Sequence, residues 1–562
     1  MASTAAPRGL QSGLLVLCAL LLGSALVLDW NLEVLAGGDE FLAGLRRLGR
    51  YLATFTSPDL SATTLDATLW QAVETVATAL LGVAFGLALA APLALLASRA
   101  VVAGGEPALG PRRLVVEGSR LLLDVLRGVP DFAWAIVLAN FTGTNSVTGV
   151  LAIGVSVAGI LGKVLSEQFD NLEPQRYAAL RSTGAGTLQV FFYGMQPLAS
   201  RAMLSFVLMR TECAIRNASV IGVVGGGGLG AGLWDHYADG NWARVSTTLL
   251  CMLAVTATAD LAANLLRYQL RIDPNHPRAH RSTGVAVGTR RRVLGALVVL
   301  LLLALAYAAL HPVFVRVVGE LAVLEGDFVW DYTRSLLFTP DLSADALGTA
   351  ARASLVPLAI GLLGTVAAVG LAATLAFPAS VAFQLDAARF TGEHPSGLQR
   401  ARRLGLVGAA RALALVLRGV PEVAWVLVLA VFFKSGLTPC VLAVVLHSTG
   451  VLHRVFTETL DNVPYRRLEQ VSGACRPHVF LYGALPEAMP DWRTYAFFQF
   501  EVNVRIGIVL GMVGAGGLGD LFDTNLKFRE NHRAGTYLWA MVVLTIAIDR
   551  LSRWLQLRRA KC

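Results

Sequence analysis

The chain has 562 residues, of which 55% are hydrophobic and only 15% are charged, and its mean hydropathy is +0.60. A soluble globular protein usually carries about 25% charged residues, so this composition excludes a soluble globular fold and predicts an integral membrane protein. The formal net charge of +9 does not indicate nucleic-acid binding, because the arginines are dispersed at the ends of apolar segments and form no single basic patch.

Apolar segments long enough to cross a membrane, which takes about 20 helical residues, recur along the whole chain. We predict twelve spans, at 13–30, 68–97, 121–141, 149–162, 204–222, 245–266, 293–310, 351–382, 412–433, 440–453, 494–513 and 537–549. The first apolar run lacks a small-residue cleavage site, which favours an uncleaved helix over a signal peptide. If both termini lie in the cytoplasm, the loops and termini on the cytoplasmic side hold most of the 47 Lys and Arg residues, as the positive-inside rule requires. The sequence therefore predicts an all-α, multi-pass protein of the cell membrane, surrounded by lipid.

The chain contains an internal duplication. Residues 184–230 align with residues 473–519 without a gap at a constant offset of 289, and eighteen of the 47 aligned positions are identical. The loop sequence TFTSPDLS (54–61) also has a partner, LFTPDLS (337–343). The duplication therefore extends well beyond the most similar stretch, and it takes precedence over any local pattern.

We predict two parallel homologous halves, 1–266 and 293–562, joined by a cytoplasmic linker at 267–292. The linker sequence, RYQLRIDPNHPRAHRSTGVAVGTRRR, is polar, contains two prolines and ends in an Arg triplet. Its positive charge places it on the cytoplasmic side.

Each half contains a helix-breaking motif, RGVPDFAW (127–134) in the first and RGVPEVAW (418–425) in the second. One interpretation is a simple helix break, in which Pro130 and Pro421 open the next helix and the following acid complements its positive end. The other interpretation places the break beside a translocation path. The backbone N–H and C=O groups of a non-helical segment within a membrane need hydrogen-bond partners, which protein or a water-filled cavity must supply.

Residues 172–197 and their counterparts 463–486 are too polar to span a membrane, and we call them the inward segments. Their apolar residues recur at helical spacing around Gly184 and Gly473. This pattern predicts a short amphipathic helix, a break at the glycine and a second helix on the cytoplasmic side. An apolar face in this position needs a partner, either lipid headgroups or another protein.

Two charged pairs lie within predicted spans, Glu212 with Arg216 and, at the repeated positions, Glu501 with Arg505. A charge at the centre of a membrane helix costs about 2.5 to 3.5 kcal/mol even on lenient scales, so these residues need a compensating role. One role is a structural ion pair, because residues four apart share a helix face. The other is a lining of the transport path, with the guanidinium groups facing a passing oxyanion.

The glycine-rich stretches GGGGLG (225–230) and GAGGLG (514–519) superficially match a dinucleotide-binding fingerprint. Each follows a membrane helix and no strand, so that interpretation fails. We expect them on the outward side, where glycine permits a tight turn or a close helix approach.

These patterns together resemble a known family. A Gly followed thirteen residues later by Pro within an inward segment, as in Gly184 and Pro197 and again in the second half, resembles the "EAA" loop of permease subunits of binding-protein-dependent ABC importers. With the RGVPxxAW, ExxxR and VGxGGLG stretches, the chain is most similar to phosphonate-type permeases over nearly its whole length, as two permease copies fused in one chain. The Glu that the family usually carries six positions before the Gly is absent, and Ala178 and Arg467 occupy those places.

The resemblance implies a type I importer permease that couples external ATPase subunits to the movement of a substrate. ABC ATPase subunits would dock on the inward segments from the cytoplasm and use ATP there, and an extracytoplasmic solute-binding protein would deliver a phosphorus oxyanion: phosphonate, phosphate or phosphite. The resemblance implies coupling roles for Gly184, Tyr193, Pro197, Gly473, Tyr482 and Pro486. The candidates for the substrate path are Arg216, Arg505, Glu212 and Glu501.

The chain shows no signature of catalysis of its own. Its only Gly-Lys pair is Gly162-Lys163, which is followed by Val164 and forms no Gly-x4-Gly-Lys-Ser/Thr phosphate loop. The six cysteines show no metal-ligand spacing. We therefore predict no catalytic residue, no metal and no bound cofactor.

An ion-coupled secondary transporter of a small anion stays the alternative. Such carriers are also built from repeated halves of six helices, and Glu212 and Glu501 could serve as their ion-coupling acids.

Overall fold

The structure, a computed structural model, describes residues 18–26, 28, 30, 38–104, 110–269, 289–385, 396–434, 436–463 and 475–559. Across these ranges the regular elements are helical and none is a strand. The helices up to the predicted linker are α1 (Gly38–Thr54), α2 (Ala62–Ala97), α3 (Arg99–Val102), α4 (Pro111–Gly128), α5 (Asp131–Thr142), α6 (Ser146–Asp170), α7 (Gln175–Ser182), α8 (Thr187–Val190), α9 (Gln196–Ile221), α10 (Gly228–Ala238) and α11 (Trp242–Gln269). Those that follow are α12 (Thr289–Val323), α13 (Gly326–Thr333), α14 (Ala344–Ala353), α15 (Leu355–Ala379), α16 (Val381–Gln384), α17 (Gly397–Gly419), α18 (Glu422–Phe433), α19 (Leu437–Asp461), α20 (Arg476–Val479), α21 (Leu485–Leu510), α22 (Leu518–Lys527) and α23 (Asn531–Arg559). Short π-helical turns connect several of them, at Phe191–Met195, Gly222–Gly226, Arg334–Phe338, Phe480–Ala484 and Gly511–Ala515.

The predicted all-α, multi-pass fold is confirmed. Within the described ranges, eight helical segments are long and apolar enough to cross a membrane, and a bent pair, α17 with α18, raises the number to nine if it counts as one span. The eight are Ala62–Ala97, Ser146–Asp170, Trp242–Arg267, Val293–Val323, Ala344–Ala379, Leu437–Asp461, Arg476–Ala515 and Asn531–Trp554.

Fewer spans emerge than the twelve that hydropathy predicted, and the differences have local causes. The predicted span 121–141 consists of two separate helices, α4 and α5, because the chain breaks at Pro130. Its counterpart 412–433 is the α17–α18 pair, bent by 94°. Helix α9, which contains Glu212 and Arg216, is not among the helices that are long and apolar enough to cross a membrane. The predicted span 13–30 and the predicted linker 267–292 lie largely outside the described residues.

The chain forms two compact units whose composition differs from the two sequence repeats. One comprises residues 53–332, and we call it the first-repeat unit; the other, the second-repeat unit, comprises residues 1–52 together with 333–562. Residues 1–52, which precede the core of the first repeat, thus belong to the second-repeat unit. The helices α12 and α13, which precede the core of the second repeat, belong to the first-repeat unit. The predicted halves, 1–266 and 293–562, describe the repeat in the sequence.

Helices α2, α6 and α9 form the core of the first-repeat unit. Helices α2 and α6 approach closely through glycines, and a Cβ added to Gly86 would lie only 2.8 Å from the carbonyl oxygen of Gly154. Helix α12 packs on the same pair, where its Ala306 and Leu310 are buried against Ala77 of α2. The apolar fit of α12 on α2 and α6 explains why the unit extends past the linker.

The second-repeat unit has an equivalent core of α15, α19 and α21. Phe456 of α19 stacks on Trp492 of α21 with ring centroids 4.2 Å apart. Helix α1 joins this unit at α18: the ring of Phe41 meets Phe432 edge to face at 5.8 Å, and Arg47 Nε donates to the carbonyl of Val431 at 3.2 Å.

The repeated PDLS sequence contacts the beginning of α11 in the first repeat and of α23 in the second. In the first-repeat unit, Arg244 Nε donates to the Asp59 carboxylate at 3.1 Å, and in the second, Arg533 Nε lies 3.5 Å from Asp341. A hydrogen bond from the Ser61 backbone N–H, supported by neighbouring donors, holds the pKa of Asp59 well below its usual range. The aspartate therefore stays ionised and anchors the loop to α11.

Candidate functional site

The inward segment of the first repeat has the predicted order of elements. Helix α7 ends before Gly184, whose φ of +80° is a left-handed conformation that favours glycine. Gln189 then caps the next helix by accepting the Gly186 N–H at 2.9 Å. From α8 the helical path runs through a π-helical turn into α9, with Pro197 in the first turn of α9. The second half of this segment is therefore continuous with the long helix α9.

This helix has one buried and one exposed face. Phe191 is buried and meets Phe169 of α6 edge to face, with ring centroids 5.0 Å apart. On the opposite side Leu188 and Phe192 are exposed, and Tyr193 is 79% exposed. An exposed face of this kind, formed by large apolar and aromatic side chains, is a surface for a partner.

The second repeat presents the same face. Val479 and Phe480 are buried, while Leu481 is exposed and Tyr482 is 76% exposed. Pro486 opens α21 as Pro197 opens α9. Gly473 lies outside the described residues.

A carboxylate at the C-terminal end of the preceding membrane helix lies at the beginning of each inward segment. Asp170, the last residue of α6, accepts hydrogen bonds from Ser98 Oγ at 2.7 Å, Ala100 N at 2.9 Å and Arg120 Nη2 at 2.7 Å. It thereby fastens together the end of α6, the short helix α3 and the amphipathic helix α4. We call this arrangement the aspartate clamp.

The second repeat forms the same clamp with Asp461. Its carboxylate accepts from Ser380 Oγ at 2.6 Å, Ala382 N at 3.1 Å and Arg411 Nη2 at 3.1 Å. Sequence reasoning missed both clamps. The signal was present in the Asp-Asn pair that ends the aligned helices α6 and α19 in both repeats.

The two RGVP motifs break the helix as predicted. Pro130 and Pro421 precede the first helical residues of α5 and α18, and the following acids lie in the first turn of those helices. Asp131 accepts a hydrogen bond from Asn217 of α9 at 2.6 Å. The acid after each break is therefore engaged within its own unit.

In the second repeat the acid after the break meets a histidine. Glu422 Oε1 lies 3.1 Å from His447 Nε2, and His447 Nδ1 lies 3.2 Å from the carbonyl oxygen of Val420. A carbonyl oxygen only accepts, so Nδ1 carries a proton.

The charged pairs inside the membrane differ between the repeats. In the second repeat, Arg505 Nη2 donates to Glu501 Oε1 at 3.0 Å, the geometry predicted for a structural ion pair. In the first repeat Glu212 pairs with Arg267 of α11, with 3.5 Å between Oε2 and Nη2. Sequence reasoning missed Arg267, which belongs to the next membrane helix along the chain.

A polar network fills the interior of the second repeat. Asn503 donates to Thr365 Oγ1 at 2.9 Å and accepts from Ser448 Oγ at 2.8 Å and from Gln499 Nε2 at 2.9 Å. All four side chains are buried. The network joins α15, α19 and α21 and satisfies its own polar atoms.

The glycine-rich stretches make sharp turns, as predicted, but they lie alongside a membrane helix. Gly228 N–H donates to Glu74 Oε2 at 3.0 Å, and Leu229 N–H donates to Thr75 Oγ1 at 2.9 Å. Glu74 is twelve residues into α2, about 18 Å along its axis, so the first turn packs beside α2 and not beyond its end. Glu74, which sequence reasoning also missed, satisfies the first turn of α10. A Cβ added to Gly230 would lie 2.0 Å from the Ser219 carbonyl, which shows why this position needs glycine.

A duplicated bundle of membrane helices, with a helical segment at the base of each repeat that exposes an aromatic face, defines a polytopic membrane transport protein. Comparison with known proteins gives the family: the model described as "Binding-protein-dependent transport system inner membrane component" matches residues 100–271 and again residues 402–561. The chain belongs to this family and contains two copies of its domain. Both the predicted permease and the predicted fusion of two copies are confirmed.

Individual relatives are also permeases. The chain is 29% identical over 502 residues to the phosphate-import permease protein PhnE of Mycolicibacterium smegmatis, covering 87% of this chain and 85% of that protein. It is 32% identical over 226 residues to the putative phosphite transport system permease protein HtxC of Stutzerimonas stutzeri, covering 40% of this chain and 77% of the relative. It is 30% identical over 118 residues to the putative cryptic phosphonate transport system permease protein PhnE2 of Escherichia coli, covering 21% and 97%. No solved structure matches the chain.

Proposed function

We propose that the chain is the permease of an ATP-driven importer for a phosphorus oxyanion. The observation that carries the proposal is the pair of exposed aromatic faces on helical segments that continue directly into the long helices α9 and α21. A partner that pushed on such a face would move the membrane helix as a rigid body. The relatives, named for phosphate, phosphite and phosphonate transport, support the choice of cargo.

The partners follow from this arrangement. ABC ATPase subunits dock from the cytoplasm, one on each inward segment, and use the ATP that drives transport. Tyr193 and Tyr482 provide the exposed contacts, while Gly184 and Gly473 shape the segments and Pro197 begins α9 at the end of its segment, as Pro486 does for α21. An extracytoplasmic solute-binding protein docks on the outward side and delivers the oxyanion. Both termini lie in the cytoplasm.

The charged residues inside the membrane are proposed to line the path of the oxyanion. Arg216 and Arg505 offer guanidinium groups, which suit phosphate-type oxygens. Glu501 orients Arg505, and Glu212 pairs with Arg267 of α11 beside the path. The path requires no cofactor or metal from this chain.

The test is reconstitution of the chain in proteoliposomes with the ATPase and binding protein encoded beside it. ATPase activity and uptake are measured with methylphosphonate, phosphite and phosphate. One of these substrates should stimulate both activities. Uptake that follows a proton or sodium gradient, without an ATPase, would establish the secondary transporter instead.

The coupling role is tested with Tyr193→Ala and Tyr482→Ala. Each should lower ATPase recruitment and uptake while the amount of membrane-inserted protein stays constant. Leu342→Ala is the matched control, because Leu342 is 69% exposed but lies in the PDLS loop and not in an inward segment. Equal losses in all three variants would contradict docking at the inward segments.

A further inference from the structure

The same pair of charged residues, Glu and Arg four positions apart, makes different ion pairs in the two repeats. In the second repeat, Glu501 and Arg505 neutralise each other at 3.0 Å. In the first repeat, Glu212 is only 7% exposed and has its ion pair with Arg267 of the neighbouring helix α11. Arg216 lies one turn beyond Glu212 on the same face of α9, and it makes no ion pair with any residue that the structure describes.

Several buried donors of the first repeat consequently lack an acceptor. Within the described part of the chain, Arg216 Nε, Arg267 Nε and Arg267 Nη2 are buried and have no hydrogen-bond partner. The 3.5 Å between Arg267 Nη2 and Glu212 is an ion-pair distance and not a hydrogen bond. Buried polar atoms in proteins nearly always have a partner, and each exception calls for a physical reason such as a bound ion.

The charge balance points to the same conclusion. Of the two guanidinium groups of the first repeat, that of Arg267 pairs with the Glu212 carboxylate, and no residue that the structure describes forms an ion pair with Arg216. In the second repeat the position equivalent to Arg267, at the offset of 289, is Gln556, so Glu501 and Arg505 balance. An anion at Arg216 and Arg267 would restore neutrality and supply the missing acceptors together.

We propose that Arg216 and Arg267, arranged around Glu212, form an oxyanion-binding site within the first repeat. This inference rests on the proposed function and names the residues at which the phosphorus oxyanion is held during passage. Guanidinium forks bind tetrahedral oxyanions through paired hydrogen bonds, and Glu212 keeps Arg267 in place. The buried Nε of Arg505 makes no hydrogen bond to the described residues either, but Arg505 donates from Nη2 to Glu501, which balances its charge. The anion contact is therefore assigned to the first repeat.

The position of the site gives it a place in the transport cycle. Arg267 lies two residues before the last residue of α11, which leads into the cytoplasmic linker. An anion held there is close to its release into the cytoplasm. The site therefore acts on the exit side of the path.

The test measures binding of inorganic phosphate to the purified full chain in nanodiscs of phosphatidylcholine, without the binding protein. Phosphate should raise the unfolding temperature of the wild type. Arg216→Gln and Arg267→Gln should each weaken phosphate binding by about tenfold or more, the usual effect of losing a charge-assisted hydrogen bond. Arg216→Lys keeps the positive charge and should therefore fold like the wild type. It should weaken phosphate binding less than Arg216→Gln does.

Arg210→Gln is the matched control. Arg210 is on the same helix and also has a buried Nε without a hydrogen-bond partner among the described residues, but residues two apart do not share a helix face, so it points away from Glu212. This variant should bind phosphate as the wild type does. An equal loss in Arg210→Gln, or no effect of phosphate on the wild type, would overturn the site.

Two further measurements distinguish cargo from lipid, and failure of the site from failure of the importer. In nanodiscs containing phosphatidylglycerol, loss of phosphate binding would show that lipid headgroups occupy the site and would overturn its assignment to cargo. Uptake by the reconstituted importer is measured in parallel. Normal uptake by Arg216→Gln and Arg267→Gln would refute the site and leave the proposed function intact, whereas phosphate binding without any uptake of a phosphorus oxyanion would refute the proposed function and leave the anion site.

Discussion

The aspartate clamps allow a quantitative comparison within one molecule. Asp170→Ala removes an ion pair with Arg120 and the acceptor for Ser98 and Ala100. The paired side chains are 29% and 22% exposed, so the full value of a buried charged hydrogen bond does not apply. With about 1.5 to 3 kcal/mol for a hydrogen bond to a charged group, reduced for partial solvation, we expect Asp170→Ala to cost about 2 to 4 kcal/mol.

The same change in the second repeat should cost less. The Asp461 to Arg411 distance is 3.1 Å, compared with 2.7 Å for Asp170 to Arg120, and Arg411 is 48% exposed. We expect about 1 to 2 kcal/mol for Asp461→Ala, because solvent screens the more exposed pair.

The assay is thermal or denaturant unfolding of each variant in one detergent, with ATPase activity of the reconstituted importer as the second readout. Asp170→Asn is the control: it keeps a side-chain acceptor for Ser98 but loses the charge, so its stability should fall between those of the wild type and Asp170→Ala. A cost for Asp461→Ala equal to or larger than that for Asp170→Ala would refute the reasoning that solvent exposure sets the strength of the clamp.

Three other predictions concern the glycine turn, its membrane carboxylate and the PDLS anchor. Gly230→Ala should lower stability by about 1 to 3 kcal/mol or prevent folding, since its Cβ would overlap the Ser219 carbonyl; Gly408→Ala, in open space on helix α17, should be neutral or slightly stabilising, as measured by yield and unfolding temperature. Glu74→Gln removes the charge that accepts the Gly228 N–H and should lower the unfolding temperature, whereas an unchanged temperature would show that the carboxylate charge is not needed there. Because the pKa of Asp59 is lowered by folding, its contribution is fully present above the unfolded value of about 4 and is lost as the pH falls through the folded value. The difference in unfolding temperature between wild type and Asp59→Asn should therefore be present at pH 7 and shrink below about pH 4, and a difference that grows on acidification would contradict this.

The repeats and the inward segments could be predicted from the sequence because their signals are local. The Gly-to-Pro spacing and the helical recurrence of apolar residues depend only on neighbours within a few turns. Tyr193 and Tyr482 are exposed on the side of the helix that this pattern leaves away from the core. The break at Pro130 is equally local, since proline sets its own backbone conformation. Hydropathy alone predicted one continuous span across that break, because the average hydropathy of a window does not depend on whether the helix changes direction within it.

The sequence by itself thus determined the membrane class, the duplication, the helix breaks and the family resemblance that the comparisons confirmed. Only the tertiary structure decided which distant residues meet: Glu212 with Arg267, and Glu74 with the glycine turn at Gly228. It also decided that α12 packs with the first repeat's core. The physical reason is that periodicity and spacing are properties of a single helix. An ion pair, a cap or an apolar contact between helices depends on how helices far apart in the chain pack together. The residues of one helix carry little information about that packing.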